Sequence, residues 1–539
     1  MKKLSLFAIA IFIFSLSFFY YLYFLPYGIS MLGEGYYAYG AKQVMEGKVL
    51  FRDFVSFGHA PGQFYLPGFF MKMFGFNIFV ERLYYLLIGS LLAVVIFLIT
   101  LKITNKISFS LASSLLYIFF TSLKNERLLF PYIAILFAII FDLFNFKNNK
   151  KIYWHSFMIG FLVGFSTMVS QEYGAALFVS VFFFILYRIY TARVNLNKIS
   201  MKKNIFYHLL FFVMGILVVI LPIIYFFYKN DAIKQFFYYL VYYPLAVYPK
   251  TMGFSPPDII FYFKDFIKLQ SLHALVYLVN TLFLYLVFFY LLVIYILSFK
   301  RFKESFKNNC EGDYSCLILL VFGLISFMRT IARFELPDLL QTMIPAIMLS
   351  GPILRDIYLK IKSNFGKRIL TFFCIFILFI LMIYGQLVIN FILNSQESNF
   401  LILKNKAQYG KLNLDRAKDI YSRTTPAEDI RNTVLFIENN TRKGDYIFAV
   451  PYESMFYFLT DRDTPVKYPV FLPGHHDTED QIDIINTLEK NKPKFIIYGH
   501  GWPLDNVLFS EYAPLVHDYI ITNCTIREKF GIYFVYSCF

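Results

Sequence analysis

Residues 17–40 read SFFYYLYFLPYGISMLGEGYYAYG, and this stretch carries the chain from an apolar run into a loop of glycines and tyrosines. The run extends from Leu4 to Leu25, and its roughly 22 residues are enough for one helix across a bilayer. It lacks a small-residue cleavage site, so we interpret it as a retained membrane anchor and not as a signal peptide. One carboxylate, Glu34, therefore stands where the chain has just left the membrane.

The composition is typical of a membrane protein. Of the 539 residues, 58% are hydrophobic and only 16% are charged, whereas about a quarter of the residues in soluble proteins are charged. The net charge of +16 would suggest a nucleic-acid partner if the chain were soluble. Here Lys and Arg cluster in short loops between apolar runs, as they do on the cytoplasmic face of a membrane. We therefore predict a polytopic α-helical membrane protein that is embedded in the lipid bilayer and binds no nucleic acid.

Apolar runs recur along the first 393 residues and predict about eleven transmembrane helices. They lie near residues 4–25, 82–101, 107–122, 128–145, 156–170, 174–190, 207–228, 273–298, 316–328, 339–353 and 369–393. The loops between them are alternately rich and poor in Lys and Arg. An odd number of spans places the two ends of this part on opposite sides of the cytoplasmic membrane. The positive-inside rule, which puts the Lys- and Arg-rich loops in the cytoplasm, agrees with this topology. The N-terminus is cytoplasmic and the section after residue 393 is extracytoplasmic.

Residues 394–539 differ in character from the apolar part, and we predict that they form a small extracytoplasmic α/β domain after a transmembrane domain of residues 1–393. Short apolar runs alternate with charged helical patterns in this section. Thr478 is predicted to cap one of the helices, and Phe495–Tyr498 to form one of the strands. Cys524 and Cys538 either form a disulfide across adjacent strands or remain two buried thiols.

The first external loop, residues 26–81, is long, aromatic and poor in charge, so it is more than a simple linker. Ala38, Ala41, Val44 and Met45 recur at helical spacing within it. This spacing predicts an amphipathic helix that lies along the membrane surface.

Several acidic and polar residues are candidates for chemistry, and each also has a purely structural interpretation. Glu34, flanked by small residues at the membrane boundary, suits a general base, but it could also be a solvated loop acid. Asp53 is either a site acid or the partner of Arg52. Glu172 lies in a short turn between two spans, where an acid is either functional or a cap for the turn. His59 belongs to a site or only adds polarity to the loop.

Cations at the external ends of spans are the candidates for binding a phosphate. Arg127, Arg329 and Arg333 have guanidinium groups that can reach a lipid phosphate. Arg329 and Arg333 could instead snorkel to the membrane interface. Glu126 and Arg127 could equally be an ordinary loop pair. The tyrosine-rich residues 235–249 form either a platform for sugars or an aromatic belt at the interface.

The order of motifs in the first external loop resembles that of a known family. Gly33-Glu34-Gly35-Tyr36-Tyr37 is followed by Gly47, by Phe51-Arg52-Asp53-Phe54, and then by Pro61 and Tyr65. This order is similar to that of the GT-C glycosyltransferases, in particular the bacterial and archaeal relatives of protein O-mannosyltransferases and of lipid A aminoarabinose transferases. Many relatives carry an Asp before the Glu and use that Asp as the base. Because Gly33 stands there, the role passes to Glu34 or to another carboxylate, or the activity has lapsed.

Two further stretches carry the same resemblance. Residues 329–346, RTIARFELPDLLQTMIPA, are similar to a family loop with an Arg and an acid, and Arg333, Glu335 and Asp338 stand at those places. Residues 457–465, YFLTDRDTP, resemble part of the family's extracytoplasmic domain. Together the three stretches extend the likeness over most of the chain.

The resemblance implies an integral membrane glycosyltransferase. It would move a hexose or pentose from a polyprenyl-phosphate carrier to an extracytoplasmic glycan, lipid or protein, with inversion at the sugar. Glu34 would be the base and Asp53 a supporting acid, and three arginines would bind the donor phosphate: Arg127, Arg329 and Arg333. Further candidates are Glu126, Glu172, Glu335, Asp338 and His59. A divalent metal ion assists some members of the family, so the need for a metal stays open.

Two other functions remain as alternatives. A secondary transporter would show an internal repeat and charged residues in the middle of the membrane. We find no such repeat, and the acidic residues gather towards one face. A GT-C scaffold without catalytic activity is the other alternative, and Gly33 is the reason to consider it.

Overall fold

The computed structural model describes residues 3–120, 126–140, 151–195, 198–251, 257–269, 272–307, 314–332, 334, 336–361, 363, 365–366, 368–369, 402, 406–500, 503–504 and 507–539. Contacts divide the chain into two compact units. The first, which we call the helical unit, comprises Met1–Tyr20, Tyr85–Ile223 and Gly253–Leu393. The second, the mixed unit, comprises Tyr21–Tyr84, Ile224–Met252 and Asn394–Phe539.

Helices make up most of the described chain before residue 361. In order they are α1 Lys3–Phe24, α2 Gly33–Met45, α3 Gly62–Phe74, α4 Ile78–Thr104, α5 Ile107–Phe120, α6 Glu126–Ile140, α7 Lys151–Val169, α8 Gln171–Asn195, α9 Lys198–Lys229, α10 Ile233–Phe237, a π-helix Tyr238–Val247, α11 Tyr248–Thr251, α12 Ile259–Leu269, α13 Leu272–Lys307, α14 Tyr314–Ala332 and α15 Leu336–Lys360.

Within the described residues, each of the first ten predicted spans overlaps one of these helices. Over the described residues, four segments are long and apolar enough to cross a membrane: Ser5–Phe24, Ile78–Thr104, Ile205–Lys229 and Thr281–Glu304. Several others, such as Ile107–Phe119 and Arg127–Ile140, are apolar but shorter. The count of eleven spans therefore stays a prediction. Beyond Ile369, the last predicted span lies outside the described residues.

Glycines allow two long helices of the helical unit to pack closely. A Cβ atom at Gly160 of α7 would overlap the carbonyl oxygen of Phe212, and one at Gly215 of α9 would overlap that of Phe157. Only glycine lets the two backbones approach in this way, as is common between helices in membranes.

The mixed unit contains a four-stranded sheet and the helices that cover it. The remaining helices are α16 Thr424–Asn440, α17 Met455–Thr460, α18 Thr478–Asn491, α19 Phe509–Tyr512 and α20 Pro514–Asn523. The strands are β1 Tyr409–Lys411, β2 Tyr421–Arg423, β3 Ile447–Val450, β4 Phe495–Gly499, β5 Thr525–Phe530 and β6 Tyr533–Ser537. The sheet has the order β3-β4-β6-β5, with β3 and β4 parallel and β6 antiparallel to both of its neighbours. Strands β1 and β2 pair separately.

This arrangement contains the predicted alternation of helices and strands, and β4 includes the predicted strand Phe495–Tyr498. The cap of α18 was predicted one residue too late. The helix begins at Thr478, but the side chain of Asp477 accepts the hydrogen bond from the Asp480 backbone N–H at 2.9 Å. Contacts group the C-terminal section with residues 21–84 and 224–252. A separate domain that begins at residue 394 therefore stays a prediction.

Cys524 and Cys538 form a disulfide. They close the hairpin of β5 and β6, in which Thr525 pairs with Ser537. Of the two alternatives left open by the sequence, the structure contains the paired one.

The predicted helix of the first external loop is α2, but protein covers its apolar face. Ala38, Tyr39 and Ala41 belong to a buried cluster that also contains Ile430 of α16 and Met455 of α17. The position of α2 along the membrane surface stays a prediction, but its apolar face packs on protein. Helical spacing marks the buried side of a helix, but it does not say what buries that side.

Candidate active site

Glu34 lies in the first turn of α2, and its carboxylate is buried and paired. The residue is 4% exposed. Its two oxygens accept hydrogen bonds from Arg82, with Nε to Oε1 at 2.7 Å and Nη2 to Oε2 at 2.7 Å. The Ser30 backbone N–H also donates to Oε2, at 3.1 Å. An acid in the first turn of a helix is favoured by the helix dipole, and a bidentate guanidinium adds a specific geometry.

Arg82 connects Glu34 to the turn that follows α1. It is 5% exposed and belongs to the first turns of α4. Its Nη1 donates to the Leu25 carbonyl at 2.6 Å, and its Nη2 donates to the Gly28 carbonyl at 2.7 Å. Sequence reasoning missed this residue. The available signal was a cation at the very start of a long apolar run, directly after Glu81.

This pairing limits what Glu34 can do in the conformation observed. Each oxygen accepts a hydrogen bond from the guanidinium, so a base would have to use a remaining lone pair or a conformation in which the ion pair is broken. In this geometry Glu34 holds the start of α2 against residues 25–30. Its role as the catalytic base stays a prediction.

The glycine after Glu34 permits a close contact between α2 and α17. A Cβ atom at Gly35 would overlap the backbone N and Cα of Met455, the first residue of α17. The backbone of α2 therefore contacts the beginning of α17 directly. This contact explains why a glycine stands next to the acid.

A second buried acid, Glu453, lies two residues before α17. It is 4% exposed, and its burial raises the pKa of the carboxyl group to about 8. Its Oε2 has no hydrogen-bond partner among the residues that the structure describes. It packs against Gly499 at the end of β4, where a Cβ atom would overlap Oε1. We did not predict Glu453 from the sequence, although an acid three residues after a buried apolar strand was a usable signal.

Asp53 forms an ion pair with Arg52, which was the structural alternative to a role as a site acid. Arg52 donates to it twice, from Nε to Oδ1 at 2.8 Å and from Nη2 to Oδ2 at 3.0 Å. The Val49 backbone N–H also donates to Oδ2, at 2.7 Å. The hydrogen bond from Arg52 holds the pKa of Asp53 below its usual range. A catalytic role for Asp53 stays a prediction.

The stretch YFLTDRDTP supplies acids to a charge network on α2. The buried Lys42 lies 2.8 Å from Asp461, 3.5 Å from Asp463 and 3.6 Å from Glu46, measured from its Nζ to the carboxylate oxygens. Arg416 also pairs with Asp461, at 2.6 Å. Burial alone would raise the pKa of Asp461, but the hydrogen bonds and charges of the two cations lower it. This network fixes α2 to the turn after α17.

His59 and the tyrosine-rich segment take part in polar and aromatic contacts. The Tyr37 hydroxyl lies 3.2 Å from His59 Nδ1. In the π-helix, the Tyr243 hydroxyl hydrogen-bonds His475 Nε2, and its ring packs near Phe57. Tyr242, on the other side of the π-helix, is 56% exposed. The segment therefore contains both buried and solvent-exposed tyrosines.

In the helical unit, the structure brings together two of the predicted site residues. Glu172 in the first turn of α8 forms an ion pair with Arg329 in the last turn of α14. The Arg329 guanidinium lies 6.0 Å from the centre of the Tyr173 ring, and the Tyr173 hydroxyl donates to Gln341 Oε1 at 2.7 Å. Arg329 thus has an acidic partner in the observed conformation. Its predicted binding of phosphate is untested.

The other predicted residues are only partly described. Arg127 lies at the start of α6 and is half-buried. Glu126 begins α6 and Asp338 lies in α15, but the structure does not describe the side chains of these two residues. Arg333 and Glu335 lie outside the described residues. Within the described part of the chain, no group of three or more His, Cys, Asp or Glu residues is arranged to hold a metal ion.

Comparisons with known proteins give a match in structure and not in sequence. No protein-family profile matches the sequence, and no curated protein sequence matches it. Among solved structures, the oligosaccharyltransferase of Archaeoglobus fulgidus in complex with Zn and sulfate matches with a TM-score of 0.52 and 10% identity, over 94% of this chain and 69% of that one. Its apo form matches with a TM-score of 0.51 and 10% identity, over 100% of this chain and 75% of that one.

ArnT from Cupriavidus metallidurans, bound to undecaprenyl phosphate, matches with a TM-score of 0.51 and 10% identity, over 99% of this chain and 97% of that one. The chain therefore has the fold that these two proteins share, the GT-C fold. The resemblance inferred from the three motifs is thereby confirmed at the level of the fold. The apolar helices and this fold together identify a membrane protein. At 10% identity, the likeness does not assign any site residue.

Proposed function

We propose that this protein is a membrane glycosyltransferase that takes a sugar from a polyprenyl-phosphate carrier. The observation that carries the proposal is the match with ArnT, which spans 99% of this chain and 97% of that one, in a structure that holds undecaprenyl phosphate. The sugar passes to a glycan, lipid or protein acceptor on the outer side of the cytoplasmic membrane, with inversion of the anomeric centre.

The reaction needs a base for the acceptor hydroxyl and cations for the phosphate leaving group. Glu34 is the first base to test because it stands in the acidic motif, with Asp53 as a supporting acid. Glu453 is the second, because one of its oxygens is unpartnered among the described residues. Three arginines are the proposed ligands of the donor phosphate: Arg127, Arg329 and Arg333. For Arg329 this role requires the phosphate to compete with Glu172.

The proposed topology places the N-terminus in the cytoplasm and the mixed unit outside. The disulfide between Cys524 and Cys538 supports this orientation, because disulfides persist in oxidising compartments and are rare in the cytosol.

An inactive GT-C scaffold is the second candidate. Two observations favour it: Gly33 replaces the usual acid, and Arg82 occupies both oxygens of Glu34. A scaffold would need Glu34 only to hold α2 in place.

The test is sugar transfer by the purified protein in liposomes that contain polyprenyl-phosphate sugars. We expect the wild type to release free polyprenyl phosphate. The variants Glu34→Gln and Glu453→Gln identify the base, and Glu528→Gln, an exposed acid in β5, is the control. Parallel assays with EDTA decide whether a divalent metal ion takes part. If no donor yields polyprenyl phosphate in the presence of glycan, lipid and peptide acceptors, the transferase proposal fails.

A further inference from the structure

The mixed unit contains a polar cavity that shares Asp53 with the proposed chemistry and is otherwise formed by residues to which the proposed function assigns no role. Its volume is about 200 Å³. The side chains that matter for its chemistry come from four places in the sequence: Gln43, Lys48, Asp53, Tyr446, Asp463 and Asn491. Two stretches singled out in the sequence, residues 51–54 and 457–465, each place one Asp on its wall.

The two acids are held in fixed positions. Asp53 accepts hydrogen bonds from the Val49 backbone and from Arg52. Asp463 Oδ1 accepts a hydrogen bond from the buried Gln43 at 2.7 Å and lies 3.5 Å from Lys42 Nζ. Within the described chain, these contacts to Asp463 engage Oδ1 and leave Oδ2 as an acceptor. Side chains that are locked by their own partners make a preorganised binding surface.

The charges on the wall indicate a neutral ligand. Asp53 and Asp463 each lie beside a cation, Arg52 and Lys42, and the exposed Lys48 adds a positive charge, so the wall favours neither a strong anion nor a strong cation. The described residues offer no three-ligand group for a metal ion. What remains is a ligand that carries several hydroxyl groups, which donate to carboxylates and accept from an ammonium or an amide.

An aromatic ring at the cavity adds to this chemistry. Tyr446 lines the cavity and is 39% exposed. An aromatic ring offers an apolar face with a polar tip, and the C–H face of a sugar ring packs on such a surface. Carboxylates, amide groups and one open ring are together the groups that recognise a carbohydrate.

We propose that this cavity binds a neutral sugar unit of a glycan. The binding site is separate from the residues proposed for bond formation, apart from Asp53, which lines it. If the proposed transferase function holds, on which this extension rests, the bound glycan is the acceptor, and the acceptor class is a carbohydrate and not a protein.

The test measures binding by the full-length protein in detergent micelles without any donor. The probes are neutral tetrasaccharides of glucose, of mannose and of N-acetylglucosamine, together with a Ser- and Thr-rich peptide. The first variant is Asn491→Trp, which fills the cavity from its rim with a large ring. Its matched control is Asn440→Trp. Both asparagines are exposed last residues of helices, and each donates to the carbonyl four residues earlier.

We expect at least one tetrasaccharide to bind, and Asn491→Trp to weaken that binding by about tenfold or more. Asn440→Trp should bind as the wild type does. Lys48→Ala is the second variant, because this exposed side chain can be truncated without disturbing the fold, and it should also weaken binding. Unfolding temperatures confirm that each variant is folded.

Three results would overturn the inference. They are the binding of none of the tetrasaccharides, binding that neither Asn491→Trp nor Lys48→Ala weakens, and binding of the peptide alone at this cavity. The transfer assay is independent of this one. Sugar binding without transfer would contradict the proposed function alone, and transfer without sugar binding would contradict this inference alone.

Discussion

The pair of Glu34 and Arg82 shows how a single residue can be recognised in a sequence while its partner is not. The acid stood out because it follows an apolar run among glycines. The arginine lies 48 residues away and resembles any cation at the end of a span. A local sequence pattern reveals a residue such as Glu34 that departs from it. The ion pair with Arg82 depends on the folded arrangement of residues that are distant in the sequence.

Replacement of Arg82 tests the structural role of this pair. Arg82→Met should destabilise the protein by about 3–5 kcal/mol, because it leaves a buried carboxylate without its counter-ion. The double variant Arg82→Met with Glu34→Gln should regain part of this loss. Thermal unfolding in detergent measures both effects. Equal stability of wild type and Arg82→Met would show that the pair does not hold α2 in place.

Glu453 makes a prediction about pH. Its pKa in the folded protein is about 8, against an ordinary value of 4.5. As the pH rises between these values, the unfolded chain loses this proton while the folded chain keeps it. The contribution of Glu453 to the free energy of unfolding is therefore greatest at low pH. It falls by up to about 1.4 kcal/mol per pH unit as the pH rises towards 8.

Glu453→Gln should remove this dependence and should make the protein relatively more stable above pH 8. Unfolding temperatures of wild type and variant at a series of pH values give the comparison. The exposed Glu528→Gln should leave the pH dependence unchanged. A wild type and a Glu453→Gln variant with parallel pH curves would contradict the burial of this carboxyl group.

At the scale of elements, the sequence predicted where helices and strands occur better than what they contact. The spacing of Ala38 and Ala41 predicted α2, yet the structure packs this helix on α3 and α17. The same limit applies to Lys42, whose partner Asp461 lies in the distant stretch 457–465. Periodicity and composition are local properties, whereas these contacts depend on the fold of the whole unit.

The contact between α2 and α17 leads to a prediction about two neighbouring glycines. Gly35→Ala should destabilise the protein by about 1–3 kcal/mol, because its Cβ overlaps the Met455 backbone, which cannot move freely. Gly33→Ala is the matched control, since its Cβ would meet only the Ser30 hydroxyl, at 3.2 Å. Thermal unfolding of both variants measures the difference. If they are equally stable, α2 and α17 do not approach as closely as described.

The ion pair between α8 and α14 predicts an energetic coupling between Glu172 and Arg329. Glu172→Gln, Arg329→Gln and the double variant form a cycle, and residues in direct contact are expected to show a coupling free energy of about 0.5–3 kcal/mol. Unfolding free energies give this coupling. A coupling near zero would mean that the two helices are not connected by these side chains.

At the scale of the whole molecule, composition and motif order predicted a membrane protein with the GT-C fold, and the fold is confirmed. This success is understandable because long apolar runs and the order of motifs are properties of the whole sequence. The number of spans, the sugar and the acceptor are not encoded in such patterns. Arg82, Glu453 and the polar cavity emerged only from the folded chain.

A single liposome assay tests whether the protein transfers a sugar from a polyprenyl-phosphate carrier. It measures the free polyprenyl phosphate that the wild-type protein releases in liposomes supplied with donor and acceptor. We expect the wild type to release polyprenyl phosphate and either Glu34→Gln or Glu453→Gln to lose this release. The absence of release with every donor and acceptor would contradict the claim and would leave the inactive GT-C scaffold as the better description.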